Sequence, residues 1–380
     1  MTAPRFLQIH TLHSYTAALL NRDDSGQAKR LTYGDTLRTR ISSQCLKRHW
    51  RMADKDPYAL CKLTGYVDSF RSRELVTEKV IAPLNGRYPE GVVKAVELVF
   101  QKLVYGDKGD TKKSRQTLLL GQPELAWLAE QAEKIAAAAS DAKGAEKAAA
   151  EWAKDKNFKA MSENTALPGG LTAALFGRMV TSDPAANIEA PVHVAHAFTV
   201  HAAEAEGDYF TAVDDLKREE DDSGADTIQE TELTCGLFYG YLVIDLPGLI
   251  DNCGGNKALA AGVVHHFVHL VAEVSPGAKL GSTAPYGRAD LMLIEAGDRQ
   301  PRSLATAFRR AIPHDLERAV GQLDKQLALY DDAYATGEAR RYLSTAMTPL
   351  QSSASSSQER LPLKRLAEWA ASQVGDGSYA

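Results

Sequence analysis

The feature that most constrains the fold is a long helix-patterned block set inside strand-patterned sequence. Residues 74–82, 90–105 and 123–153 all carry helical periodicity, and strand-like alternation is missing from about residue 56 to residue 168. The last stretch includes Ala-Glu-Gln-Ala-Glu-Lys-Ile-Ala-Ala-Ala-Ala, a run of strong helix formers. Strands flank the block. Residues 5–13 place Leu7, Ile9 and Thr11 on one face and Gln8 and His10 on the other. Tyr239, Tyr241, Val243 and Ile244 mark a second strand within 232–246, and 290–295 a third. This order predicts an α/β fold with the helical block inserted into a strand-bearing domain. Gly169-Gly170 opens a further strand-like run to Val180. Residues 193–201, 255–272, 301–312, 315–336 and 363–374 read as helices, with a Ser-rich linker at 352–356.

Charge is segregated. The chain has 380 residues and a formal net charge of −5, yet residues 36–51 carry Arg38, Arg40, Lys47, Arg48 and Arg51 with no acid. Ser42 or Ser43 is a suitable helix N-cap, and Leu46, Trp50 and Ala53 then repeat at helical spacing toward a core. Lys47 and Arg51, four apart, share a face with Arg48 beside them. A helix N-terminus with open N–H groups, two preceding arginines and a basic stripe form an anion site, and a phosphate backbone best accounts for so many donors. A solvated face is the bland alternative. Residues 204–232 are the acidic counterpart, with twelve Asp or Glu against Lys217 and Arg218. Their centre is too polar to pack and is expected to form a mobile loop between two strand arms. Residues 274–281 form a Gly-containing loop whose N–H groups and Lys279 suit phosphate, although turn chemistry explains it equally well. The basic loop 108–115 reads as a solvated tip.

Other classes are disfavoured. No apolar run approaches the ~20 residues that span a bilayer, and the first residues lack a signal peptide's apolar region, so a cytoplasmic protein without membrane contact is expected. Cys45, Cys61, Cys235 and Cys253 form no Cys-x-x-Cys pair and read as buried thiols. His193, His196 and His201, and His265-His266-x-x-His269, lack the carboxylate of a metalloprotease helix, so neither metal nor cofactor is expected.

Leu20-Asn21-Arg22-Asp23-Asp24 and Arg40-Ile41-Ser42-Ser43-Gln44-Cys45-Leu46-Lys47-Arg48 resemble the CasC-type backbone subunit of type I-E CRISPR surveillance complexes (Cascade), of the RAMP superfamily. Leu175-Phe176-Gly177-Arg178-Met179, Phe210-Thr211-Ala212-Val213-Asp214-Asp215-Leu216 and Val274-Ser275-Pro276-Gly277-Ala278-Lys279 follow in the same order. The resemblance implies an RRM-like (ferredoxin-type) palm from 1–55, 169–201 and 235–380, a helical finger at 56–168 and a hairpin-like thumb at 202–234. It also implies a non-catalytic subunit that polymerises along a CRISPR RNA beside other Cascade subunits and presents the RNA to target DNA. On this reading Arg22, Arg38, Arg40, Lys47, Arg48 and Arg51 contact phosphate, Ser42 and Gln44 add hydrogen bonds, Asn21, Arg178 and Lys279 also belong to the RNA-binding set, and Met179, Phe210 and Thr211 intrude between bases. The alternatives are an RNA-processing endoribonuclease of the same superfamily, with His10, His13 or His49 as general base, and a protein-binding scaffold.

Overall fold

The computed structural model describes residues 3–154, 167–180, 184–212, 227–351 and 359–375. The strands are β1 (Phe6–Ala18), β2 (Arg30–Tyr33), β3 (Thr36–Ile41), β4 (Ser69–Ser72), β5 (Leu118–Gly121) and β6 (Val192–Val194). They continue with β7 (Ala197–Thr199), β8 (Glu206–Ala212), β9 (Thr227–Asp245), β10 (Ala289–Gly297), β11 (Ala339–Ser344) and β12 (Glu359–Arg360). The main helices are α1 (Ser43–Arg51), α2 (Glu90–Tyr105), α3 (Gln122–Ala138), α4 (Ala142–Lys154) and α5 (Gly170–Phe176). After them come α6 (Leu246–Asn252), α7 (Lys257–Glu273), α8 (Leu316–Tyr334) and α9 (Leu363–Ser372). The chain divides into two compact units.

The first unit comprises Met1–Ala59, Val194–Ile244 and Ala261–Ala380. It holds a mostly antiparallel sheet ordered β12-β11-β10-β1-β9-β7-β3-β2, with β8 also paired to β9. β1 and β10 run antiparallel from Phe6↔Gly297 to Leu12↔Leu291, and the register shifts at His13. Leu12, Leu291, Leu293, Phe198 and Tyr239 pack on one side with Leu323 and Leu327 of α8. Each such side chain contributes on the order of 1.5–3 kcal/mol by leaving water. Unlike a strand with one wet face, β1 is buried at every position from Phe6 to Thr11, so its polar residues need internal partners. Gln8 accepts from the Tyr241 hydroxyl (2.9 Å) and the Arg302 N–H (2.8 Å) and donates to Glu338 (2.9 Å). His10 bonds Tyr239 Oη (2.9 Å) and Glu295 (3.0 Å).

The second unit comprises Leu60–His193 and Asp245–Ala260. Val92, Val96, Phe100 and Val104 form the buried stripe of α2 and meet Leu125, Leu128 and Ala132 of α3 and Ala145 and Ala149 of α4. Phe100 stacks on Trp152 with centroids 4.7 Å apart. The helical stretch 123–153 is two helices. Glu124 reaches back to the Gly121 N–H (2.9 Å) to start α3, and the Asp141 carboxylate accepts from the Gly144 N–H (2.7 Å) to start α4.

Four expectations are corrected. Residues 170–176 are helical rather than extended, because a short apolar run buried on every side carries no period that separates strand from helix. Residues 193–201 are not a helix; Ala197–Thr199 is a strand paired to both β3 and β9. In 301–312 only Ala305–Phe308 turns, as a 3-10 helix, although Leu304, Phe308 and Ile312 are all buried as their spacing requires. Cys61 and Cys235 are exposed rather than buried. The acidic segment 213–226 and the linker 352–356 lie outside the described residues.

Burial holds the His13 imidazole down at about 4, against the opposing pull of Asp290 and the carbonyls of Ala272 and Val271. The unfolded ring titrates near 6.5, so its contribution to stability is complete above about 6.5 and is lost as pH falls toward 4. The melting temperature of the wild type is therefore expected to drop between pH 7 and pH 4.5 more steeply than that of His13→Gln. Parallel curves would contradict this.

Candidate nucleic-acid interface

The basic stretch folds as the strand β3, a turn and α1. Ser42 is extended (ψ 146°) and its Oγ accepts from the Cys45 N–H (3.3 Å), which makes it the N-cap rather than Ser43. Trp50 anchors the helix, buried edge-on against Phe267 of α7 at 5.3 Å, and Leu46 packs beside it half-buried. Helix α1 ends at Arg51, so Ala53 lies beyond it.

The N-terminal N–H groups are not open, contrary to expectation. The Ser42 N–H is taken by the Asn21 side-chain carbonyl (2.9 Å) and the Ser43 N–H by His196 Nδ1 (2.9 Å). With the Cys45 N–H bonded to Ser42, three of these donors are spent before any ligand arrives. Asn21 therefore positions the helix, and its main-chain carbonyl also accepts from the Lys29 N–H (2.9 Å). Most contacts to an anion here must therefore come from side chains.

Those side chains fall into two groups. Gln44 and Arg48 lie on α1, and Arg22 is exposed in a loop held by Asp23, which accepts from Ser25 and Gln27. Lys47 and Arg51 are half-buried, and burial lowers the Lys47 pKa. Arg40 is half-buried with Nε donating to the Arg30 carbonyl (3.2 Å). Arg38 differs: it is fully buried, and its guanidinium donates to the carbonyls of Thr199 (3.2 Å), Val200 (2.8 Å) and Phe308 (3.0 Å) and to Asp35 (3.2 Å). It braces β3 against β7 and the 308 turn and has no face left for phosphate.

The 274–287 loop reaches this helix. His49 Nδ1–H donates to the Cys45 carbonyl (2.8 Å), and its Nε2 accepts from the Gly277 N–H (3.4 Å). Ser275 closes the loop, its hydroxyl donating to the Gly287 carbonyl (2.7 Å) and accepting from the Gly287 N–H (2.8 Å). Lys279 adopts a left-handed conformation (φ 55°) and its Nζ donates to Thr231 of β9. The Gly277 N–H and the Lys279 ammonium are thus engaged with protein.

Arg178 and Met179 belong to the second unit. Arg178 is buried, with Nη1 on both carboxylate oxygens of Glu124 (2.6 Å each) and Nε and Nη2 on the Ala186 carbonyl. Burial raises the Glu124 pKa against the pull of Arg178. Like Arg38, Arg178 is a brace rather than an open phosphate donor. Its main chain forms a bridge with Ile188, and the adjoining Met179 projects 74% exposed. Phe210 and Thr211 sit in β8 at the register positions of Gln229 and Ile228. Loop 108–115 is not simply solvated, since Arg115 is buried and bonded to the Gly109 carbonyl (2.6 Å) and Glu74 (3.0 Å).

Sequence reasoning missed Lys29, Arg30 and His196. Lys29 lies beside Arg40, whose N–H its carbonyl accepts (2.8 Å), and Arg30 pairs with Glu232. The Lys29-Arg30 pair just ahead of the basic stretch was the available signal; His196 stood out only within a histidine cluster weighed for metal, and nothing local tied it to the basic helix. Among the described residues no group of three or more His, Cys, Asp or Glu is placed to hold a metal, and no helix is long and apolar enough to cross a membrane.

A mixed α/β chain with a large, mostly antiparallel sheet, carrying a capped basic helix, defines the class. The chain belongs to the CT1975-like protein family (Cas_CT1975), whose model matches residues 7–369. Among solved structures it is similar to a chain of a "CRISPR RNA-guided surveillance complex, pre-nicking", at 25% identity and TM-score 0.75, covering 97% of this chain and all of that one. A chain of a second "CRISPR RNA-guided surveillance complex" shares the fold at 21% identity and TM-score 0.61, with the same coverage. A comparison with curated protein sequences finds no match.

Arg38→Ala is expected to cost roughly 1–3 kcal/mol for each buried carbonyl left unpaired, with a matching fall in melting temperature. Arg48→Ala, on the solvent side of α1, should stay within about 0.5 kcal/mol of wild type. Equal melting temperatures for the two variants would contradict this division.

Proposed function

We propose that this protein is a CRISPR RNA-binding backbone subunit of a type I-E Cascade-like complex, several copies of which line the guide RNA and present it to target DNA. The single observation that carries the reading is the exposed and half-exposed cationic set Arg22, Arg40, Lys47, Arg48 and Arg51, with Gln44, on or beside one capped helix of an otherwise acidic chain. The resemblance of nearly the whole chain to a subunit of an RNA-guided surveillance complex supports it. Cations without base-reading geometry grip a phosphate backbone, and base pairing then supplies sequence. The exposed thioether of Met179 suits an apolar contact with unstacked bases. Strand order β10-β1-β9-β7, with β2, β3 and then α1 between β1 and β7 in the chain and α7 between β9 and β10, supports an RRM-like core for the palm. Partner subunits and cytoplasmic residence follow from the same reading.

No catalytic role is proposed. His10 is buried with its ring nitrogens on Tyr239 and Glu295, and both ring nitrogens of His49 are bonded to the backbone. A general base needs an accessible lone pair, which these placements do not offer.

The test is titration of the full chain onto a labelled single-stranded RNA of spacer length, with or without co-expressed partner subunits, reading complex size and RNA integrity together. Stepwise, salt-sensitive growth on intact RNA is expected. Shortened RNA would favour a nuclease, and absence of binding even with partners would favour a scaffold. Lys47→Glu is expected to weaken binding alike for unrelated spacer sequences. It should also reduce the steepness of log affinity against log salt by about 0.7 for each phosphate no longer neutralised. A weakening confined to some sequences would contradict phosphate binding.

A further inference from the structure

His196 stands where the basic helix begins. The register Arg40↔Phe198 and Ile41↔Ala197 brings the link before β7 alongside the start of α1, and the Ala195 N–H holds that link to the Tyr241 carbonyl of β9 (2.9 Å). There His196 Nδ1 accepts the Ser43 N–H at 2.9 Å. An imidazole nitrogen that accepts from an amide carries no proton, so the ring's proton must sit on Nε2. The residue is exposed, and the cations that act on its ring are Arg40 of β3 and Lys29 of the preceding loop. Partial desolvation and then these two charges lower its pKa, which favours the neutral ring. Glu232, the acid that meets the Lys29-Arg30 segment, is already paired with Arg30 and bonded to the Ala28 N–H. The ring therefore has a fixed tautomer, a rigid mount and a polar N–H in a cationic setting.

We propose that His196 is a further phosphate-contact residue of the RNA site, holding α1 through Nδ1 while Nε2–H donates to a phosphate oxygen shared with Arg40 and Lys29. This deepens the RNA-binding reading above and rests on it. The chemistry recognised is the anionic phosphodiester, independent of base, since a single neutral donor flanked by two cations carries no base code.

Two substitutions separate the two nitrogens. His196→Asn places an acceptor where Nδ1 stands and nothing where Nε2 stands; His196→Gln places an amide donor at the Nε2 position and leaves the Ser43 N–H unmet. His196→Asn is expected to melt with the wild type yet bind spacer-length RNA about threefold to tenfold more weakly, the range that one neutral hydrogen bond carries. His196→Gln should recover most of that affinity at a lower melting temperature. RNA binding by His196→Asn equal to wild type would overturn the proposal and leave His196 as a cap alone.

A second readout does not depend on RNA. In the full chain labelled with 15N-histidine, the His196 ring, assigned from its disappearance in His196→Asn, should show a protonated Nε2. That signal should move on titration with inorganic pyrophosphate, and less so in Lys29→Ala. A still Nε2 signal in a protein that binds RNA would refute the contact while leaving the RNA reading in place. A moving signal in a protein that binds no RNA would sink the RNA reading and keep the anion site.

Discussion

The sheet of the first unit depends on one buried carboxylate. Glu295 of β10 is fully buried and receives His10 of β1 (3.0 Å), two nitrogens of Arg302 (2.6 and 2.8 Å) and Nε of Arg340 from β11 (2.7 Å). Arg340 in turn grips Asp331 of α8 with both terminal nitrogens (2.5 and 2.6 Å). Burial alone would raise the Glu295 pKa; the hydrogen bonds from His10 and Arg302 reverse this and hold it well below the usual range. Charges taken out of water survive only when each is matched, and removing one member of such a set strands the others. The network therefore ties three adjacent strands, the helix packed on them and the 302 turn to a single arrangement. Glu338 shows the limit of that matching. Burial and the neighbouring Glu295 charge push it up to about 7, and it is held by Gln8 and Arg302.

The candidate site inherits this rigidity. Helix α1 follows β3, which Arg38 locks to β7 through main-chain carbonyls, and Trp50 seats the helix on α7. Positive charge is thereby sorted by burial. Arg38, Arg178, Arg302 and Arg340 are structural, because a guanidinium can satisfy several acceptors at once within a core. Arg22, Arg40, Lys47, Arg48 and Arg51 keep part of their surface toward solvent, and the anchored helix presents its own share of them at fixed spacing.

Much of the element pattern was legible. The α2 stripe Val92, Val96, Phe100 and Val104 follows directly from spacing, and the helices near 255–272, 315–336 and 363–374 were found within a few residues. The failures share a cause. Leu304, Phe308 and Ile312 are buried as their period demands, yet the chain between them satisfies its core contacts with only one short turn. Residues 197–199 are a strand because β3 and β9 offer them hydrogen bonds on both edges, which no local propensity encodes. Within the site, the N-cap, the two core-facing positions of α1 and the basic stripe were readable. The partners of Ser42, Ser43 and His49 were not, since Asn21, His196 and Gly277 lie 21, 153 and 228 residues away.

The sequence by itself determined which segments would be helical by period, where positive charge would concentrate, and which family pattern the motifs follow. Those properties are local, set by side-chain chemistry and spacing over a few residues. Only the tertiary structure decided which arginines face water and which are spent in the core. It also decided that three donors at the helix start are already taken, one of them by a distant histidine. Burial and hydrogen-bond partnership depend on what the fold brings alongside, and residues far apart in the chain supply it.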